Sequence, residues 1–174
     1  MNIVVLRLGH RPQRDKRLST HLILCARALG AEKVIYSGDE DPRLEEGIKD
    51  VVNRWGGSFD IEYISNWRGV VKQWEGNIVH LTMYGTPVEE VISIIRESGK
   101  PLLVVVGGPK VPRDMYDNST WNVSVTTQPH SEVSALAIFM YLLEGEKALK
   151  HSFTGGSIKI KPSERGKEVE VSKD

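Results

Sequence analysis

The chain has one cysteine, Cys25, in 174 residues. A lone thiol excludes an intrachain disulfide and any zinc site built from cysteine pairs. No apolar run approaches the roughly 18 residues that a membrane-spanning helix needs. Residues 1–7 show no basic segment leading into a long apolar one, so no secretory leader is expected. The chain is therefore expected in the cytoplasm, where the N-x-[ST] triplets at Asn118 and Asn122 carry no sugar. Net charge is missing too, because 23 Lys and Arg balance 23 Asp and Glu. That balance removes the simplest electrostatic argument for a nucleic-acid partner. Nucleotide signatures are also lacking. Gly107-Gly108-Pro109-Lys110 does not have the phosphate-loop spacing, and no G-x-G-x-x-G follows a strand. The five histidines (10, 21, 80, 130 and 151) form no H-x-x-x-H pair, so no metal site is expected. His130-Ser131 is not part of a G-x-S-x-G elbow.

What is present is a globular composition, 40% hydrophobic and 26% charged, in a chain long enough to bury one core. The charges are unevenly spread. Arg7, Arg11, Arg14, Lys16 and Arg17 form one basic run, with His10 among them and only Asp15 opposed. Residues 147–167 hold six more cations, and the acids gather between residues 32 and 62. Such clusters serve either as solvated faces or as anion-binding patches.

Apolar periodicity predicts strands at residues 3–8, 33–36, 61–64, 77–81, 101–106 and 121–125. Helices are predicted at 20–30, 43–55, 67–74, 88–97 and 131–143. Residues 9–16, 82–87 and 107–117 read as loops. Pro101-Leu102-Leu103-Val104-Val105-Val106 is continuously apolar, as a strand covered on both faces must be. Six alternations of strand and helix define an α/β fold with a mostly parallel sheet and helices on both faces. The end differs. Residues 157–161 and 167–171 alternate polar and apolar around Pro162-Ser163-Glu164-Arg165-Gly166, which predicts a solvated β-hairpin appended to the main domain.

Ligands of parallel sheets bind beyond the carboxyl ends of the strands. Three loops there are rich in small, rigid or polar residues. They follow Leu81, Val106 (Gly107, Gly108, Pro109, Lys110, Val111) and Val125 (Thr126, Thr127, Gln128, Pro129, His130, Ser131, Glu132). Gly107-Gly108 permits close approach of a ligand to backbone. Ser131 and Glu132 also suit a helix cap. The arginines of residues 9–17 follow the first strand and offer planar forks for phosphate.

Taken together, Leu6-Arg7-Leu8-Gly9-His10-Arg11-Pro12, Arg14-Asp15, Arg17, Thr20-His21, Ala26-Arg27-Ala28-Leu29-Gly30-Ala31, Gly107-Gly108, Lys110-Val111-Pro112 and Gln128-Pro129-His130-Ser131-Glu132 resemble one family. It is the archaeal tRNA ribose 2′-O-methyltransferases acting on cytidine 56 of the T loop, within the SPOUT superfamily. The likeness covers residues 1 to about 153. It implies a trefoil knot toward the C-terminal end, a homodimer, tRNA as partner, and S-adenosylmethionine held by the three loops (Leu81, residues 107–111 and residues 125–132). In one respect the chain departs from the superfamily. The arginine usual at the first helix is replaced by Leu24, which moves the expected catalytic role to Arg17, with Arg14 and Arg11 as further candidates. Residues 154–174 have no counterpart in the minimal domain. Two other readings stay open on sequence: another tRNA position as target, or a non-enzymatic α/β RNA-binding or regulatory module.

Overall fold

A computed structural model describes residues 1–108 and 110–172, the side chain of Lys16 excepted. Six parallel strands form one sheet: β1 (Ile3–His10), β2 (Lys33–Gly38), β3 (Asp60–Tyr63), β4 (Asn77–Pro87), β5 (Leu102–Gly107) and β6 (Trp121–Ser124). Their spatial order is β3-β2-β1-β5-β4-β6. The order reverses at β1 and β5, so the crevice a ligand can enter opens beside them.

Helices cover both faces. On one side lie α1 (Pro12–Ala28), α2 (Pro42–Trp55), α4 (Val88–Glu97) and α6 (Glu132–Glu144), packed on Ile3, Val5, Val34, Val79, Val104 and Val106. On the other lie α3 (Trp67–Gln73) and α5 (Arg113–Asn118), packed on Val4, Leu6, Ile78, Leu103 and Val105. Alternate residues of β5 serve opposite cores, which is why its sequence is apolar throughout. Among the described residues, no helix is long and apolar enough to cross a membrane.

Three expected loops are corrected. Residues 9–16 are not a loop: β1 runs on to His10, and α1 begins at Pro12 rather than at residue 20. Proline at the first helical position has its φ already set and needs no hydrogen-bonded N–H. Arg14 and Arg17 are consequently helical. Residues 82–87 belong to β4, with a register break. Leu81 and Thr86 both stand opposite Val123, so the intervening residues bulge out. Gly85 is required there, because a Cβ would lie 2.5 Å from the backbone of Asn122 and Val123. The stretch expected as a loop over residues 107–117 ends in a helix, α5, which at six residues is too short to show a helical period.

The C-terminal hairpin forms as expected, pairing β7 (Ile158–Lys161) with β8 (Glu168–Val171) in antiparallel register. It stands apart from the main sheet. Residues 151–156 lie along glycines of the main domain. A Cβ on Gly56 would fall 2.5 Å from the Thr154 carbonyl, and Gly57 N donates to that carbonyl at 2.8 Å. The guanidinium of Arg27 stacks 4.1 Å from the Phe153 ring centre and donates to the Gly56 carbonyl.

Candidate active site

Two cavities open at the carboxyl edge of the sheet. The first, of about 410 Å³, lies between the ends of β4, β5 and β6. It gathers Leu81, Gly107, Gly108, Val111, Val125, Thr126, Gln128, Pro129, His130, Ser131 and Glu132, the greater part of the three loops singled out in the sequence. Thr127 is in neither cavity wall and Lys110 faces the second cavity. Pro109 lies outside the described residues. The second cavity, of about 740 Å³, is bounded by the end of β1, the start of α1 and Trp67. It brings Arg11, Arg14 and Lys110 together with His10 and Asp39. Arg17 is exposed and lines neither cavity. Gly108 and Val111 belong to both walls.

Local structure explains the placement. The crossover rules of parallel strands bring the loops after β4, β5 and β6 to one edge. Ser131 caps α6, its Oγ accepting from Val133 N at 3.1 Å. Ser131 and Glu132 therefore serve the helix end and line the cavity at once. Gly107 has no room for a side chain, since a Cβ would meet Val111 Cγ2 at 2.3 Å. At Gly108 the nearest atom to a Cβ is Glu132 Oε1 at 3.7 Å, so this position faces open space.

The electrostatics rest on residues whose roles the sequence concealed. Arg7, only 1% exposed, sends Nη2 to within 3.3 Å of Glu132 Oε2 and donates from Nη1 to the Leu8 carbonyl at 2.8 Å. Arg7 is thus a core residue and not part of a solvated basic face. Burial pushes the Glu132 carboxyl above the usual carboxylate range, more than the Arg7 charge pulls it down. His80, also 1% exposed, places Nδ1 2.9 Å from Asn122 Oδ1 and packs edge-on against Tyr116, ring centres 4.7 Å apart. Burial holds its imidazole below the ordinary histidine range. Both residues interrupt apolar strands at buried positions, and that interruption is the signal by which they are legible.

Under the second cavity, His10 is fully buried between Ser19 Oγ (2.8 Å) and Asp41 Oδ2 (3.3 Å). At the mouth, Arg11 Nε donates to Asp15 Oδ2 at 3.1 Å. Arg14 has no ion-pair partner among the described residues. One cation is tied down and the other is available to an anion.

A parallel sheet of this order, with glycine loops meeting at its edge, is the fold of the SpoU and TrmH RNA methyltransferases. The structure of the TrmH/SpoU tRNA modifying enzyme of A. aeolicus superposes with a TM-score of 0.64 at 16% identity, over 88% of this chain and 80% of that one. That of the SpoU methyltransferase AviRb from Streptomyces viridochromogenes, solved with AdoMet, gives 0.59 at 16% identity, over 85% and 56%. Sequence narrows the class. The chain belongs to the family of tRNA ribose 2′-O-methyltransferases, aTrm56, whose model matches residues 55–170. It is 51% identical to the tRNA (cytidine(56)-2′-O)-methyltransferase of Methanothermobacter thermautotrophicus, over 96% of this chain and 95% of the relative. With the enzyme of the same name from Pyrococcus horikoshii it shares 52% identity, over 96% and 84%.

Proposed function

We infer that this chain is an S-adenosylmethionine-dependent methyltransferase acting on the ribose 2′-hydroxyl of cytidine 56 in tRNA. Full-length likeness to enzymes of that name carries the reading, and the paired cavities give it a physical basis. The first cavity suits the cofactor. Its volume falls within the usual range for small-molecule sites, about 300–1,000 Å³. Leu81, Val106, Val123 and Val125 offer an apolar wall, and Glu132 offers a carboxylate to a cationic ligand. The cofactor supplies an activated methyl group on a sulfonium. The rest of the task falls to the protein: holding the ribose hydroxyl in line and favouring loss of its proton. Correct positioning alone lowers such barriers by about 7–11 kcal/mol.

The second cavity is the proposed substrate side. Arg11, Arg14 and Lys110 suit the phosphates flanking the target nucleotide. Of the three arginine candidates, Arg14 becomes the first, because it joins a cavity wall and has no ion-pair partner among the described residues. Arg11 serves as a phosphate clamp steadied by Asp15. Arg17, on the same helix but off both cavities, is left the role of reaching tRNA or a neighbouring subunit. T-loop bases are stacked and paired, so the target must be extruded to reach the shared wall at Gly108.

The working unit is proposed to be a homodimer. On α6, Leu136, Phe139, Met140 and Leu143 are buried within the chain, while Ile138 and Tyr141 are 45% and 42% exposed. Ile94 of the neighbouring α4 is exposed as well. An apolar face of this kind on two packed helices suits a second copy. A trefoil-knot threading is proposed on the family resemblance alone. The hairpin, residues 154–174, is proposed as a separate extension, and the cytoplasm, where tRNA is processed, as the place of action.

The test is methylation of a tRNA transcript with the purified protein and S-adenosylmethionine, followed by nuclease mapping and mass spectrometry. One methyl on the ribose of nucleotide 56 is expected. A methyl on a base, or on another nucleotide, overturns the assignment.

A further inference from the structure

His80 interrupts the aliphatic run of β4 at a buried position. Its ring is fixed by a short chain of hydrogen bonds. Asn122 Nδ2 donates to the Tyr116 carbonyl at 3.0 Å, an oxygen that can only accept. The amide orientation of Asn122 is thereby set, and Oδ1 is the atom facing His80 Nδ1 at 2.9 Å. An amide oxygen only accepts, so Nδ1 must carry the proton. The neutral ring then has a bare lone pair at Nε2. That nitrogen is buried and has no hydrogen-bond partner among the described residues. His80 lines the first cavity, beside Leu81 and Thr82.

Unanswered buried acceptors are costly, and a protein tolerates one mainly where something else completes it. We propose that His80 Nε2 is a cofactor contact, accepting a hydrogen bond from a neutral donor on the nucleoside half of the molecule bound in the first cavity. This rests on the reading of that cavity as the S-adenosylmethionine site. The choice of the nucleoside half follows from charge. The ligand carries a cationic ammonium on its amino-acid half and uncharged hydroxyl and amino donors on its adenosine. The same cavity is lined by one carboxylate, Glu132, whose Oε2 pairs with Arg7 Nη2 and whose Oε1 faces the open space at Gly108. An ammonium gains most from a carboxylate in a sheltered site, and a neutral imidazole is matched to a neutral donor. Tyr116 steadies the arrangement. Its ring meets His80 at right angles and its hydroxyl lies 3.1 Å from Thr82 Oγ1, so the imidazole cannot turn away without losing both neighbours.

The experiment uses the whole protein and two probes, S-adenosylhomocysteine and 5′-methylthioadenosine, which lacks the amino-acid half. In ¹⁵N NMR of histidine-labelled wild type, His80 should show a protonated Nδ1 and a bare Nε2, and the Nε2 resonance should move upfield when either probe saturates the site. His80→Asn keeps a donor toward Asn122 and removes the second nitrogen. By calorimetry the folded variant should bind both probes about tenfold more weakly. His80→Gln, which returns an acceptor near the Nε2 position, should recover most of that loss. An Nε2 resonance unmoved by bound probe, or wild-type affinity in His80→Asn, overturns the proposal while leaving the cofactor site intact. Loss of affinity for S-adenosylhomocysteine alone moves the contact to the amino-acid half and overturns it as stated. If wild type binds neither probe, the reading of the cavity itself fails.

Discussion

Arg7 and Glu132 meet at 3.3 Å although one ends the first strand's apolar run and the other opens the last long helix. The pair joins the core to the wall of the first cavity. Its two members differ in exposure, 1% for Arg7 and 19% for Glu132. Their loss should therefore have unequal effects. Glu132→Gln leaves a buried guanidinium without its counter-charge and should cost about 3 kcal/mol. Arg7→Met leaves a carboxyl that can take up a proton, and should cost about 1–2 kcal/mol. Urea denaturation of both variants and of the double variant near neutral pH measures the coupling. Simple additivity would show that the two charges do not depend on one another.

The glycines of the first cavity separate a structural from a ligand role. Gly107→Ala forces a Cβ to 2.3 Å from Val111 and should lower stability. Gly108→Val has room in the unliganded chain, with Glu132 Oε1 at 3.7 Å from the new Cβ. It should keep its stability within about 1 kcal/mol and lose at least about tenfold in S-adenosylhomocysteine affinity. Calorimetry on the folded variant is the check, and unchanged affinity removes Gly108 from the site.

The arginines should divide by kinetic parameter. Arg14→Ala should lower kcat by about 100-fold or more at saturating tRNA, the signature of an interaction made in the transition state. Arg11→Ala should chiefly raise the tRNA KM and flatten its salt dependence. Arg17→Ala should spare kcat. A collapse of turnover in Arg17→Ala, with Arg14→Ala active, would return the catalytic role to Arg17 and point to a site shared between subunits.

Stability should fall in mild acid, and His80 should be one cause. Burial lowers its folded pKa beneath the unfolded value of about 6.5. Between those two values the unfolded chain binds more protons than the folded one. Stability is therefore lost as pH falls through about 6.5, and levels off below the depressed folded value. The Glu132 carboxyl, raised by burial, works in the opposite sense and gains stability as it protonates. Melting temperatures from about pH 7.5 to 5.5 should drop more in wild type than in His80→Asn. Parallel curves would assign the acid sensitivity to other groups.

Truncation should distinguish the hairpin from its anchor. Ile160, Val169 and Val171 are 59%, 51% and 65% exposed, so the hairpin buries little of its own apolar face. A chain ending at residue 156 keeps Phe153 on Arg27 and Thr154 on Gly57, and should bind S-adenosylhomocysteine normally. It should lose tRNA affinity or dimer stability, read by gel shift and light scattering. A chain ending at residue 150 uncovers Arg27 and the Gly56 backbone and should melt lower. Loss of cofactor binding in the longer truncation would tie the hairpin to the cavity.

The alternation of apolar strands with capped helices, the solvated hairpin and the glycine-rich strand ends were all legible in the sequence. Each is a local consequence of side-chain period or of backbone freedom. Most of the first cavity followed from them, because parallel strands must carry their loops to one edge. The tertiary structure decided what no period encodes. Arg7 reads in sequence as the first of a basic run, and only the packing of α6 against the end of β1 makes it a buried counter-ion. His80 is an interruption in an aliphatic strand until β6 pairs beside it and Asn122 fixes its proton. Arg14 and Arg17 are three residues apart and chemically alike, yet Arg14 lines a cavity wall and Arg17 does not. That separation depends on Pro12 starting the helix eight residues earlier than the apolar pattern indicates. Charge placement in this protein depends on contacts between residues far apart in the chain, and those form only when the sheet assembles.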